Sequence, residues 1–377
     1  GRFEIIRQRH TDNTCCQYDI NSAYPAAIKD LPCLAHGRWT RVERPTKPVR
    51  FGIYRIKANN ISDDWTRPLP LWYRTRNGRV VYGNDVHNWY WTPEAEIALE
   101  YGLEIEEGWG YNQHCDHKPF WFVPVLFDQR AELKRRKDGA HVGIKLGLNS
   151  LYGKLAQQVG WGYNDDGTLR IPPYHCLEWA GYVTSSCRAQ LWRAAQLAPD
   201  DVIAFETDAI FSRVPLNVDI GSGLGQWEAT DYTSLTYLMS GYYFASKPDG
   251  EQVEKSRGVN KGSVSRMDAI LAIENFAHID AEQTRFITLG QALHQNFDLW
   301  QQWITSPRRL TARIEGKRIH ALDDLHGWHE SEWLQTWPNP LLPMENGMSK
   351  EYDVEWLMNT DYDRSLTRRQ DEDRDYE

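Results

Sequence analysis

The sequence predicts an α+β fold, and three observations carry that prediction. Short, apolar, β-prone runs end in acidic residues at Cys15 to Ile20 and again around Val202-Ile-Ala-Phe and Ala209-Ile-Phe. Two runs of helical periodicity, Phe127 to Lys137 and His141 to Gln157, are joined across Asp138-Gly139 as an αα-hairpin. Between the first strand and that hairpin, residues 31–122 are rich in Pro, Trp and Tyr. Their alternating run Phe51-Gly-Ile-Tyr-Arg-Ile predicts an irregular β-containing insertion.

In chain order, Pro25 suits a first helical turn, so the strand at Cys15 delivers Asp19 to an edge from which a helix departs. After the αα-hairpin, Asn164-Asp165-Asp166-Gly167 marks a small β-hairpin between Gly160 and Pro173. Gly181 to Leu197 is helical again. Glu206-Thr207-Asp208 then separates two apolar runs, as an acidic tip where two paired strands meet. From Asp268 onward helices are expected to dominate, with Leu289, Leu293, Phe297, Trp300 and Ile304 at i, i+4, i+8, i+11 and i+15 forming one core stripe. Residues 358–377 alternate acid with arginine and are expected to form a flexible tail.

Composition bounds the function. A chain of 377 residues suggests two or three domains at roughly 100–200 residues each, which excludes a single small binding module. With 17 Trp, 19 Tyr and 11 Phe there is ample core material, which excludes disorder throughout. A net charge of −9 means that any polyanion must meet a local basic patch. The six cysteines form no CxxC pair and read as reduced, which predicts an intracellular, cytoplasmic protein. No stretch reaches the roughly 18 apolar residues of a span, so no membrane partner is expected. Gly-Arg-Phe-Glu at the start reads as a fragment boundary and not as a signal peptide.

Two carboxylates on separate strand ends, Asp19 and Asp208, can hold a pair of hard divalent cations for displacement at phosphorus. Each alone also reads as an ordinary helix-start or turn aspartate. On the second helix of the hairpin, Lys145, Asn149 and Tyr152 share one face, and on the first helix Arg130, Lys134 and Lys137 do the same. Both arms can therefore aim cations at one place, though such runs are commonly solvated helix faces. Arg308, Arg309, Arg313, Lys317 and Arg318 make the densest basic patch of the C-terminal part, around a turn at Glu315-Gly316. Trp300, Trp303 and Trp328 suit either a core or base stacking. His114-Cys115-Asp116-His117 holds metal-binding residue types, but no second ligand pair stands at zinc-finger spacing.

Three of these segments carry a resemblance. Tyr18-Asp19-Ile-Asn-Ser22-Ala-Tyr24-Pro25, Lys145 to Gly153 (Lys-x-x-x-Asn-Ser-x-Tyr-Gly) and Glu206-Thr207-Asp208 resemble, in order, the three polymerase motifs of family B DNA polymerases. The long segment between the first two most resembles the protein-primed phage and mobile-element branch. The resemblance implies a right-hand core with a palm sheet, αα-hairpin fingers and a mostly helical thumb. The expected division is palm at 1–30 and 181–265, β-containing insertion at 31–122, fingers at 123–157, small β-hairpin at 158–180, thumb and C-terminal region at 266–357, and the tail.

It further implies a DNA-directed DNA polymerase that extends a primer 3′-hydroxyl with deoxynucleoside triphosphates, using two Mg²⁺, for which Mn²⁺ can substitute. Asp19 and Asp208 would hold the metals, with Glu206 beside them. Lys145, Arg130 and Lys134 would grip the triphosphate, Asn149 and Tyr152 would line the nascent pair and sugar, and Tyr24 would exclude a 2′-hydroxyl. Ser150 and Gly153 would face DNA, and primer-template DNA, nucleotides and a priming protein or replisome subunits would be the partners.

Two departures from the family pattern stand out. The third motif has Glu206 and Ala209 where Asp and Ser are usual, and the downstream Lys-x-Tyr motif falls on Gly241-Tyr242-Tyr243, leaving Lys255, Arg257 and Lys261 as the available cations. Only 18 residues precede Asp19, so an exonuclease domain is expected to be lacking or to lie upstream. A catalytically silent, nucleic-acid-binding subunit and a two-metal nuclease are the alternatives.

Overall fold

The computed structural model describes residues 4–6, 9–58, 70–74, 80–81, 86–157, 161–275, 277–294 and 303–311, with short strand pieces between 318 and 349. Strands β1 (Glu4–Ile6), β2 (His10–Thr11) and β3 (Cys15–Ile20) lead into helix α1 (Ala23–Ile28). Then follow β4 (Gly37–Glu43), β5 (Gly52–Ala58), the short pair β6 (Tyr73–Arg74) and β7 (Val80–Val81), β8 (Val86–Trp91), α2 (Thr92–Glu100) and β9 (Ile105–Gln113). Within the expected β-containing insertion, strands β4-β9-β5-β8 form an antiparallel sheet whose β5–β9 ladder shifts register between Arg55 and Ile56. This segment is not a separate body. Tyr54, Ile56, Tyr90 and Ile97 pack in one core with Cys16, Tyr18 and Phe205.

Helices α3 (Phe122–Arg135) and α4 (Ala140–Ala156) form the predicted αα-hairpin, turned at Lys137 with φ 56° and fastened by the Asp138 carboxylate, which accepts the Ala140 N–H at 2.9 Å. The small hairpin β10 (Gly162–Tyr163) and β11 (Leu169–Arg170) closes through Asn164 to Gly167, where φ is +80° and glycine is the residue that tolerates it. Helix α5 (Leu177–Ala195) then crosses beneath the main sheet.

That sheet is built from β12 (Val202–Glu206), β13 (Ala209–Ser212) and β14 (Trp227–Tyr232), in the order β1-β12-β13-β3-β14, antiparallel throughout. Every residue of β12 and β13 is buried, because both faces are covered. Val202, Phe205 and Ile210 face α5 through Leu191 and Trp192. Ile203, Ala204 and Phe211 face the second sheet through Leu235, Tyr237 and Tyr243. A register shift between Val202 and Ala204 lets Ile203 and Ala204 join the same face. The second sheet consists of β15 (Ser234–Met239), β16 (Tyr242–Ser246) and β17 (Gln252–Ser256) in the order β17-β16-β15-β2, with the short strand Glu332–Trp333 paired to the outer side of β2.

The C-terminal part departs from expectation. After α6 (Arg266–Glu274) the chain forms a long antiparallel ladder, β18 (His278–Phe286) against β19 (Trp303–Thr311), with the short helix α7 (Leu289–His294) in its connection. The expected helical stripe does not form: Leu289 and Leu293 are 63% and 58% exposed, and Ile304 is a strand residue. Pro307, which ends a helix but is tolerated in an edge strand, and the β-branched Ile304, Thr305 and Thr311 together favour the strand that forms. The described part of the segment expected to be a mostly helical thumb thus holds two helices and a β-hairpin. Phe297, Trp300, Trp328, Arg313, Lys317 and residues 358–377 lie outside the described residues. Among the described residues, no helix is long and apolar enough to cross a membrane.

Candidate active site

Register places the acidic residues. Asp19, next to last in β3, stands opposite Ala209 of β13 on one side and Glu228 of β14 on the other. Asp208 closes the β12–β13 turn, and its carbonyl accepts the Ile20 N–H at 3.1 Å. Both aspartates therefore meet at one end of the main sheet. Thr207 (φ 61°) and Ser22 (φ 52°) adopt left-handed backbone beside them, a strained conformation for residues with a Cβ. Cys187 of α5 supports the turn, its Sγ 3.9 Å from the Thr207 carbonyl. Sequence reasoning missed Glu228, whose placement depends on strand register that its own neighbours do not reveal.

Electrostatics set these groups apart from ordinary surface carboxylates. Burial, with the Asp208 and Glu228 charges adding to it, pushes Asp19 up from 3.8 to about 7, against the pull of Lys255. Burial also raises Asp208, opposed by backbone hydrogen bonding and by Arg257. Like-charged oxygen donors that resist ionisation at one place fit a hard divalent cation, whose charge would reverse the penalty.

A pH dependence follows. Asp19 has a folded value above its unfolded one, so the folded chain holds a proton that the unfolded chain releases between about pH 4 and 7. Its contribution to stability is present at low pH and lost as pH rises through about 7. A cation that needs the ionised form should therefore raise the thermal midpoint more at pH 8 than at pH 6. Melting curves with and without Mg²⁺ at both values check this, and an increment equal at the two would contradict it.

Glu206 is committed within the chain. Its carboxylate accepts the Gly241 N–H at 3.1 Å and the Arg257 guanidinium at 2.8 Å, and Arg257 reaches the Thr207 hydroxyl at 3.3 Å. Gly241 has φ +78°, and a Cβ there would meet the Arg257 side chain at 2.8 Å, which accounts for glycine at that position. The side chain that departs from the family pattern thus fastens the β12–β13 turn to the β15–β16 turn. Lys255 pairs with Tyr243 across β16–β17, so a cation absent from Gly241-Tyr242-Tyr243 stands on the neighbouring strand, where its charge acts on Asp19.

The helical hairpin faces this end. The Tyr24 and Tyr152 rings are 4.6 Å apart, and burial raises the phenol of each, with the Tyr152 and Asp208 charges adding to the effect on Tyr24. Arg130 donates to the Ser22 hydroxyl at 3.3 Å, tying the first helix of the hairpin to the first acidic motif. Lys134, Lys145 and Asn149 are exposed, as is Ser150, whose hydroxyl donates to the Gly147 carbonyl at 2.8 Å. A Cβ at Gly153 would meet open space, so nothing in the chain itself requires glycine there.

The downstream cations are dispersed. Lys261 is exposed. Arg308 donates to the Gly258 carbonyl at 3.0 Å, and Arg309 pairs with Asp280 at 3.2 Å. As neighbours in β19 these two arginines point to opposite faces, so they do not make the single patch expected. Arg318 begins the short strand β20 (Arg318–His320).

Residues 1–161 match the family model described as DNA polymerase type B, organellar and viral. A DNA polymerase of Acidianus bottle-shaped virus (isolate Italy/Pozzuoli) is 26% identical over 136 residues, which are 36% of this chain and 19% of that protein. The fold matches Phi29 DNA polymerase in its ternary complex with primer-template DNA and incoming nucleotide substrates, with a TM-score of 0.54 and 17% identity over 83% of this chain and 61% of that one. The orthorhombic crystal form of the same polymerase gives 0.53, with 18% identity. The chain thus spans 19% of its viral relative and 61% of the Phi29 enzyme. Residues 1–161 are thus similar to DNA polymerases of type B, organellar and viral, and the chain shares its α+β fold with the Phi29 enzyme.

Proposed function

We propose that the chain is the polymerase module of a template-directed DNA polymerase, with primer-template DNA and deoxynucleoside triphosphates as its substrates. The observation that carries this reading is the meeting of Asp19 and Asp208 at one sheet end, beneath the hairpin that bears Lys145 and Tyr152. Two Mg²⁺ held by these carboxylates, with Mn²⁺ as a substitute, would activate the primer 3′-hydroxyl and neutralise the departing pyrophosphate. The rest falls to the chain's own side chains. Lys145 and Lys134 bind the triphosphate oxygens, while Arg130, held by Ser22, orients the hairpin toward them. The closely packed, mutually tilted Tyr24 and Tyr152 rings form a floor for the sugar, and Asn149 lines the nascent pair. Ser150, the bare backbone at Gly153 and the cations Lys255, Lys261 and Arg308 meet the DNA. Arg257 acts through Glu206 by fixing the turn that presents Asp208. Arg309, bound to Asp280, is left to a weaker phosphate contact. The palm, fingers, thumb and insertion boundaries given above, and a priming protein as a further partner, belong to the same proposal.

Primer extension on a primed template with Mg²⁺, and with Mn²⁺, tests it. Incorporation directed by the template supports the reading. A preparation that binds primer-template without incorporating indicates a silent polymerase-like subunit, and one that only degrades DNA indicates a nuclease. Tyr24→Ala removes the ring that lies 4.6 Å from Tyr152. It should raise ribonucleotide incorporation relative to deoxynucleotide by on the order of 100-fold, the scale at which an added hydroxyl is sterically rejected. Unchanged sugar discrimination in single-nucleotide kinetics would take Tyr24 out of that role.

A further inference from the structure

The motif His114-Cys115-Asp116-His117, set aside for want of a second ligand pair, acquires one in the fold. Cys33 and His36 lie in the loop between α1 and β4, and Cys115 lies just past the end of β9. The β4–β9 ladder, which begins at Gly37 opposite Gln113, brings these segments together although they are far apart in the chain. The Cys33, His36 and Cys115 ligand atoms all lie within 4.8 Å of one another. We propose that Cys33, His36 and Cys115 bind one Zn²⁺ at this sheet end, remote in chemistry from the carboxylate centre and independent of the polymerase reading.

The donor set decides the metal. Two sulfurs and an imidazole suit Zn²⁺, whereas Mg²⁺ takes oxygen. The Cys33 Sγ and His36 Nδ1 are 3.4 Å apart. Two such atoms at bond lengths of about 2.3 and 2.0 Å on a tetrahedral ion are separated by roughly 3.5 Å, so that edge already has the required length. His117 stands nearby, its ring centroid 6.5 Å from that of His36, and a water molecule or that imidazole would complete the coordination. Binding releases the two thiol protons, leaving thiolate ligands.

The surroundings form a built site. Cys33 is buried, its N–H donates to Gln113 Oε1 at 3.1 Å, and its carbonyl accepts the Tyr111 hydroxyl at 2.7 Å. Gln113 Nε2 donates to the Cys115 carbonyl, to the Cys115 sulfur at 3.5 Å and to the His117 carbonyl at 3.0 Å. One amide thus holds both cysteine segments and places its nitrogen beside the Cys115 sulfur, the kind of surrounding contact that orients a metal ligand. Trp179 of α5 donates to the Pro32 carbonyl at 2.9 Å, fixing the loop from below. The His114 N–H donates to the His36 carbonyl at 2.8 Å, fixing it from the side. The ion would clamp the exit of α1, which carries Tyr24, to the segment that enters α3.

The test uses the full chain. Elemental analysis after expression with zinc and desalting should return about one zinc per chain, and Cys33→Ser and Cys115→Ser should each reduce this to background. Gln113→Ala should weaken zinc affinity by about 10- to 100-fold. Should a cysteine variant fail to fold, the unaltered chain decides. Stripped with a zinc-selective chelator and loaded with Co²⁺, it should show thiolate-to-cobalt charge transfer and tetrahedral ligand-field bands. Its thermal midpoint should fall on stripping and recover with Zn²⁺ but not with Mg²⁺. Absence of zinc and of these bands, or recovery of Cys33 and Cys115 as a disulfide, would overturn the proposal.

Discussion

Asp208→Asn should reduce primer extension by on the order of 1,000-fold or more, the equivalent of several kcal/mol of charge stabilisation, while leaving duplex binding nearly intact. The variant keeps the turn, because the contacts that shape it are made by other atoms: the Asp208 carbonyl to the Ile20 N–H, the Thr207 carbonyl near Cys187, and the Glu206 carboxylate to Gly241 and Arg257. Removing one of two buried like charges also lowers the penalty on the other, since the Asp208 charge helps to hold Asp19 near 7. Without divalent cations, Asp208→Asn and Asp19→Asn should therefore melt at or above the temperature of the unaltered chain. Loss of extension with undiminished thermal stability is a pair of results that misfolding cannot produce. Near-normal extension by either variant would remove both carboxylates from the chemistry.

What the sequence shows in advance is what neighbouring residues decide. The strand from Cys15 to Ile20, the helix over Pro25, the αα-hairpin turning at Asp138 and the two apolar strands flanking Glu206-Thr207-Asp208 are written in local periodicity and turn chemistry, and each forms. Pairing between distant segments is not written there. Glu228 reaches Asp19 only through the β3–β14 register, and Cys33 reaches Cys115 only through β4 and β9. The C-terminal error has a different origin. Leu289, Leu293 and Ile304 do fall at helical spacing, but Pro307 and the β-branched Ile304, Thr305 and Thr311 favour the strand that forms. The same strand sends Arg308 and Arg309 to opposite faces, although the sequence counts both within one basic patch around the turn at Glu315-Gly316.

Arg188→Leu should destabilise the chain by about 3–5 kcal/mol, the cost of leaving a buried carboxylate without its partner. Arg188 of α5 donates to Glu94 of α2 at 2.6 Å, and the two side chains are 4% and 1% exposed. The guanidinium also lies over the Trp72 ring, 5.7 Å from its centroid. The second carboxylate oxygen of Glu94 is buried without a hydrogen-bond partner in the described structure, so nothing else there would take up the charge. Glu94→Gln alone should cost less, because an amide can stay buried as a neutral group. Changing both residues to leucine should recover most of the loss, since an apolar pair of similar volume carries no desolvation penalty. Urea unfolding of the two single variants and the double variant, read as a double-mutant cycle, measures the coupling directly. Additive losses would mean that the pair is not coupled. The effect reaches the reaction through position: Arg188 follows Cys187, which lies beneath the Thr207 carbonyl, so a loosened α5 withdraws support from the turn that presents Asp208. Extension by Arg188→Leu should accordingly fail at a lower temperature than in the unaltered chain while remaining near normal in the cold, a thermal signature that distinguishes a scaffold defect from the outright loss expected at Asp208.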